Sequence, residues 1–283
     1  MKKILITCSY VCLITCFALA AKSSPAADAK KQTPNKKTTA NSELSLDEII
    51  NKANVASYYF GNNGRAKVKM VITDSQNRKR IRKIVIMRLD QEDGGKQKYY
   101  VYFQEPADVR KMTFLVWKHP AKDDDRWLYL PSLDLVKRIS AGDKRTSFAG
   151  SDYFYEDVSG RSPLEDNHKL IETTKNFYVL DNIPKDPGSV EFSHYKMWIH
   201  KKTFLPLKTI FYDKNGNENR IIEALKVENI QGFPTVTKSK VTNKQTGGNT
   251  VNILTDIQYD VPGITDKIFT ERYLRRKPKL IKY

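Results

Sequence analysis

Ser193-His194-Tyr195-Lys196 has the Ser-x-x-Lys spacing of an acyl-transfer nucleophile and its base. That pairing works when both side chains share a helical face. Here Tyr195, Met197 and Ile199 alternate with His194, Lys196, Trp198 and His200. The stretch therefore reads as a strand, in which positions three apart point to opposite faces. Glu165-Asp166-Asn167-His168 has the Glu-x-x-His spacing of a di-iron ligand pair. Such sites need two copies on helices plus two further Glu; the chain has one copy, after Pro163, in a predicted loop. His194 and His200 share a strand face but stand about 20 Å apart along it, too far for one metal ion. Asp123-Asp124-Asp125, between Lys122 and Arg126, reads as a charged hairpin tip. There is no Gly-x-Ser-x-Gly elbow, His-Glu-x-x-His pair or phosphate loop. No catalytic residue, metal or cofactor is expected.

Cys8, Cys12 and Cys16 all lie in the first twenty residues. Lys2 and Lys3 precede an almost wholly apolar run, Ile4 to Leu19, and Ala18-Leu19-Ala20 supplies a small-x-small cleavage pattern. Residues 1–21 thus read as a secretory signal. Removing it leaves no thiol for a disulfide, a nucleophile or a zinc site. Leu13-Ile14-Thr15-Cys16 resembles a lipobox, with Thr where small residues are preferred, so a form lipid-tethered through Cys16 is the lesser expectation. Residues 22–43 hold five Lys and hardly an apolar side chain, the composition of a disordered spacer. The net charge of +17 falls to +15 without Lys2 and Lys3. Outside the cytoplasm such a charge points to an anionic membrane surface and not to nucleic acid.

The elements that position the remaining residues are mostly strands. Ser45, with Glu48 three residues on, forms a capping box ahead of Leu46, Ile49, Ile50, Ala53 and Ala56 at helical spacing. From Arg65 onward the period switches to two. Asp213-Lys214-Asn215-Gly216-Asn217 and Thr246-Gly247-Gly248-Asn249 are hairpin signals. About eleven short strands joined by tight turns imply sequential antiparallel neighbours, in one domain over 44–283. A meander of this length curls into a barrel or splits into a sandwich. Several runs are apolar on both faces. This suits a sheet with one face open to a hydrophobic ligand, and equally the ordinary Tyr, Val and Ile enrichment of strands.

Three stretches, Phe103 to Leu115, Trp127-Leu128-Tyr129-Leu130-Pro131 with Val136 to Ile139, and Ser147 to Asp157, resemble in order and spacing the bacterial LolA-like outer-membrane lipoprotein-sorting proteins. Asp266 to Leu274 fits the same pattern. The resemblance implies a mainly β fold, an incomplete, unclosed antiparallel barrel with an N-terminal α-helix and loop or helix elements filling or covering the concave face. It implies a periplasmic carrier or receptor for acyl chains of lipoproteins or lipids, with delivery to the outer membrane, working beside an inner-membrane RND-type exporter. The alternatives are a periplasmic sensor of the same fold and, less favoured, a lipid hydrolase. On this reading Val68, Met70, Ile84, Ile86, Val101, Phe103, Phe114, Val116, Trp127, Tyr129, Met197 and Ile199 face the cavity, unless they belong to the core. Arg110 and Arg138 stand at the rim to meet a headgroup or partner, or else pair internally with Asp152, Glu156 or Asp157. Phe148, Ser151, Asp152, Tyr153, Phe154, Tyr155 and Asp157 belong to a loop that plugs or gates the barrel.

Overall fold

Ser45 starts the first element as its residue type dictates. Its hydroxyl accepts from the Glu48 N–H at 3.3 Å while the Glu48 carboxylate accepts from the Ser45 N–H at 2.8 Å, closing the capping box of helix α1, Leu46–Tyr58. The computed structural model describes residues 44–92 and 94–281. The expected signal peptide, the linker and Cys16 lie outside the described residues. Among the described residues, no helix is long and apolar enough to cross a membrane.

Six strands follow α1: β1 Asn63–Thr73, β2 Lys79–Asp90, β3 Gln97–Glu105, β4 Thr113–Lys118, β5 Asp125–Leu130 and β6 Leu135–Arg138. After a connection holding a short helix, α2 (Tyr155–Ser159), come β7 Asp166–Thr173, β8 Phe177–Pro184, β9 Phe192–His200, β10 Pro206–Asp213, β11 Glu218–Ile230, β12 Phe233–Asn243 and β13 Asn249–Tyr259. A last short helix, α3, spans Arg272–Arg275. Among the described residues thirteen strands form where about eleven were expected. The order is β6-β5-β4-β3-β2-β1-β13-β12-β11-β10-β9-β8-β7, antiparallel throughout. Two meanders meet where β1 pairs with β13, and β6 and β7 remain as unpaired edges. The sheet is an unclosed barrel, as the resemblance implied.

Turn chemistry sets the hairpins. Asp213 Oδ1 accepts from the N–H groups of Asn215 and Asn217, and Gly216 supplies the positive φ of 84° that closes the β10–β11 turn.

Both faces of β3 and β4 are buried. Phe114 and Leu115 are adjacent in sequence and each is fully inaccessible. Phe114 points to the concave face with Val101, Phe103, Val116 and Leu128. Leu115 points to the convex face with Tyr100, Trp127 and Tyr129, beneath a C-terminal cover of Ile264, Ile268, Phe269 and Leu274. Two covers on one sheet explain why β3 reads as a continuous apolar and aromatic run and not as an alternation. Trp117 and Tyr100 fix the convex cover by donating to the carbonyls of Phe269 and Tyr273, each at 2.8 Å.

Candidate functional site

The concave face is packed at one end and hollow at the other. A cavity of about 520 Å³ opens between α1, the strand wall and the 145–161 connection. That volume lies within the ~300–1,000 Å³ range of small-molecule sites. Val68, Met70, Ile84, Ile86 and Val101 form one wall, Met197, Ile199 and Leu180 the facing one, and Leu254 of β13 joins them. Helix α1 turns Ala53 and Ala56 toward the hollow. Small residues there keep the helix from filling the space it borders.

Seven of the residues expected to face the cavity therefore do border it: Val68, Met70, Ile84, Ile86, Val101, Met197 and Ile199. Phe103, Phe114 and Val116 lie on the same face but belong to the core. Phe148 covers Phe103 and Phe114, with ring centroids 5.6 and 5.4 Å away, and Tyr155 lies 5.2 Å from Phe114. Trp127 and Tyr129 are on the opposite, convex face. The β4–β5 register pairs Phe114 with Leu128 and Leu115 with Trp127, so the concave positions of β5 are Leu128 and Leu130. Alternation within β5 cannot show this, since a one-residue change of register exchanges the faces.

Arg138 does not pair with Asp152, Glu156 or Asp157; its largely exposed guanidinium pairs with Asp125 and lies 5.0 Å from the Trp127 ring centroid. Arg110 is exposed in the turn after β3.

The loop expected to plug or gate is tied to the sheet and to itself by hydrogen bonds. Phe148 and Tyr155 enter the concave core. Ser151 Oγ donates to the Phe148 carbonyl at 2.7 Å. Asp152 accepts from Thr250 Oγ1 at 2.7 Å, and Tyr153 Oη meets Ser239 Oγ at 2.8 Å, tying the loop to β12 and β13. Asp157 Oδ2 caps α2 at the Phe154 N–H, 2.6 Å away, and Arg220 of β11 reaches Asp157 while its guanidinium lies 4.3 Å from the Phe154 ring centroid.

A charged layer that no sequence motif marks flanks this loop, and its Glu156, Arg145 and Arg161 also border the cavity. Glu156, 2% exposed, faces Arg145, Arg161 and Lys144. Burial alone would raise its carboxyl, but the three cations outweigh burial and hold it below the usual carboxylate range. Burial opposes the charge of Arg145 too, yet Glu191, 2.6 Å from both Nε and Nη2, and Glu156 overcome it. Arg161 holds Asp166 at 2.9 Å, and Asp166 accepts from Tyr195 Oη at 2.8 Å. Burial, then the Asp166 charge, pushes the Tyr195 phenol well above its usual range. The available signal was the density of Arg and acid among aromatics in 144–166.

Gly160 ends α2 at φ 76°, ψ 149°, a region open essentially to glycine. A Cβ there would come within 2.3 Å of Tyr58 Cζ. Tyr58 borders the cavity, so the close approach helps shape it. Beside it Lys118, 2% exposed, donates to the Ser159 carbonyl at 2.7 Å; burial lowers its pKa to about 8.

The other candidate chemistry dissolves on inspection of partners. Ser193 Oγ lies 2.7 Å from the Asp213 carbonyl and 3.0 Å from His194 Nδ1. A carbonyl only accepts, so Ser193 donates to it and His194 donates to Ser193, the reverse of a base activating a nucleophile. His168 lies in β7 and not in a loop; its ring nitrogens meet Asn182 Oδ1 at 2.7 Å and the Pro163 carbonyl at 2.8 Å. Among the described residues no three His, Cys, Asp or Glu side chains converge as a metal site. One polar feature of the cavity wall stands out: among the described residues Asn252 Oδ1 is a buried acceptor without a hydrogen-bond donor.

A family model described as that of an uncharacterized protein matches residues 95–276. No curated protein matches the chain. Among solved structures, a DUF1329 family protein from Desulfovibrio piger is 28% identical, with 81% of this chain and 96% of that one covered and a TM-score of 0.72. A putative outer membrane lipoprotein-sorting protein domain from Vibrio parahaemolyticus is 28% identical, covering 81% of this chain and 97% of that one at a TM-score of 0.73. A LolA superfamily protein from Nitrosomonas europaea, 20% identical, shares the fold at a TM-score of 0.63 over 82% of this chain and all of that one. The family model covers more than half of the chain, which therefore belongs to that family, and its unclosed thirteen-strand sheet is the fold shared with the lipoprotein-sorting and LolA superfamily structures.

Proposed function

We propose that the protein is a non-enzymatic periplasmic carrier that shelters acyl chains of lipoproteins or lipids in the concave cavity and helps deliver them to the outer membrane. In this reading it receives cargo beside an inner-membrane RND-type exporter and docks on an anionic membrane surface. One observation carries the proposal: a void of about 520 Å³ remains against apolar strand walls although the adjoining end of the same face is close-packed. An acyl chain in water exposes methylenes at about 0.8 kcal/mol each, and a carrier must supply apolar wall in exchange. It must also release the chain, which an unclosed barrel favours because its edges, β6 and β7, can separate without breaking a ring of hydrogen bonds.

The test is extraction and mass analysis of whatever accompanies the protein purified from its native host. Intact lipid or acyl chain near one per protein is the expected result. Ile86→Trp combined with Leu254→Trp, two half-buried wall positions, should fill the hollow and remove the lipid while leaving the circular dichroism spectrum unchanged. Cleavage products alone would favour a hydrolase, and an empty wild-type protein would overturn the carrier reading.

A further inference from the structure

The strand register builds a lysine patch on the convex face, behind the cavity wall. Lys69 of β1 lies directly opposite Lys83 of β2. On its other side Lys69 faces Ile253 of β13, and Ile253 faces Lys238 of β12, which in turn opposes Lys226 of β11 beside a bulge. The row crosses five strands, about 19 Å at the usual strand spacing. All four lysines are exposed. Lys83 and Lys226, at the ends, pair with Glu105 and Glu228 at 2.9 Å. Among the described residues Lys69 and Lys238 have no carboxylate partner. In the next row Lys240 faces Val251, which faces Val71, which faces the exposed Ile81; Glu223 stands opposite Lys240.

Like charges directly opposite on neighbouring strands destabilise a sheet. The fold places two such pairs, Lys69 with Lys83 and Lys226 with Lys238, in one row, so sheet stability does not account for them. Aliphatic side chains sit between the charges. The row holds lysines and no arginine, which suits a diffuse field of negative charge better than bidentate recognition of a particular carboxylate. We propose that this convex face docks the protein on a bilayer displaying anionic lipid headgroups, with Lys69, Lys83, Lys238 and Lys240 as the electrostatic contact and Ile81, Val71 and Ile253 against the interface. The inference identifies the surface that the carrier reading requires, and its test leaves the cavity untouched.

The experiment is sedimentation of the purified protein with vesicles of phosphatidylethanolamine and phosphatidylglycerol, against phosphatidylcholine vesicles. Binding should require the anionic lipid and weaken as salt rises. The combined variant Lys69→Gln, Lys83→Gln, Lys238→Gln, Lys240→Gln should bind about tenfold more weakly or worse, with a melting temperature equal to or above that of the wild type. A control removing the same charge elsewhere, Lys122→Gln, Lys175→Gln, Lys202→Gln, Lys267→Gln, should keep most of the binding. Equal losses in the two variants would reduce the effect to net charge and overturn the proposal. So would undiminished binding by the patch variant, or capture by soluble polyglutamate with none by vesicles, which would point to an acidic protein. Acyl-chain binding measured in parallel separates the readings: its loss in the wild type refutes carriage alone, and loss of docking with carriage intact refutes only this surface.

Discussion

The two ends of the concave face are built from the same strands and differ in what lies on them. At the β3–β5 end, Phe148 and Tyr155 descend onto Phe103 and Phe114, and the aromatic contacts leave no hollow. At the other end, Met70, Ile86, Met197 and Leu254 face a hollow bordered by the alanines of α1. The strand side chains are equally apolar in both places. What differs is the covering segment: the 145–161 connection puts large aromatics on one end, and its charged residues anchor it there. A hydrophobic wall is thus core or binding site according to what is laid across it.

That contrast predicts graded effects. Glu156→Ala removes the carboxylate shared by three buried cations, so it should cost about 3–5 kcal/mol in denaturant unfolding. A loss under about 1 kcal/mol would mean that the 145–161 connection is not held by charge. Phe114→Ala should cost about 3–4 kcal/mol, because it opens a void in packed core, whereas Ile86→Ala at the hollow end should cost about 1 kcal/mol, since its methyls already border empty space. Equal costs would erase the distinction between the ends. Gly160→Ala should lose about 2–3 kcal/mol, combining a forbidden backbone region with a clash against Tyr58, and should also weaken acyl-chain binding.

A further effect is a pH dependence. Lys118 titrates near 8 when folded, below the ordinary lysine range of the unfolded chain. At pH 7 it is charged in both states and its burial cost is fully felt. Between about pH 8 and 10 the unfolded chain holds more protons, so stability should rise with pH by about 1–3 kcal/mol. Thermal melts across that range should show the rise in the wild type and lose it in Lys118→Met. A flat wild-type profile would place Lys118 in a wetter site than its neighbours suggest.

Much of the scaffold was legible locally. The Ser45–Glu48 capping box, the Asp213–Asn217 turn and the period-two runs depend on near neighbours in sequence, and each formed where the residues indicated. Of the residues expected at the cavity, those on β1, β2 and β9 border it, and Val101 represents β3. The errors share a cause. Alternation gives Trp127 and Tyr129 one face of β5 without saying which face is inside, and the β4–β5 register puts them on the convex side. Phe103 and Phe114 were correctly faced but covered by a segment some forty residues away in the chain. Arg145, Arg161 and Arg220 were passed over because their partners, Glu191, Asp166 and Asp157, are brought to them only by folding.

By itself the sequence determined the class of fold, because hydrogen bonding of turns and the two-residue period of strands are short-range. Only tertiary structure decided which apolar face stays hollow, which lysines line up and which arginines are neutralised. Those outcomes depend on register and on where one connection crosses the sheet, and both are settled by contacts between residues far apart in the chain.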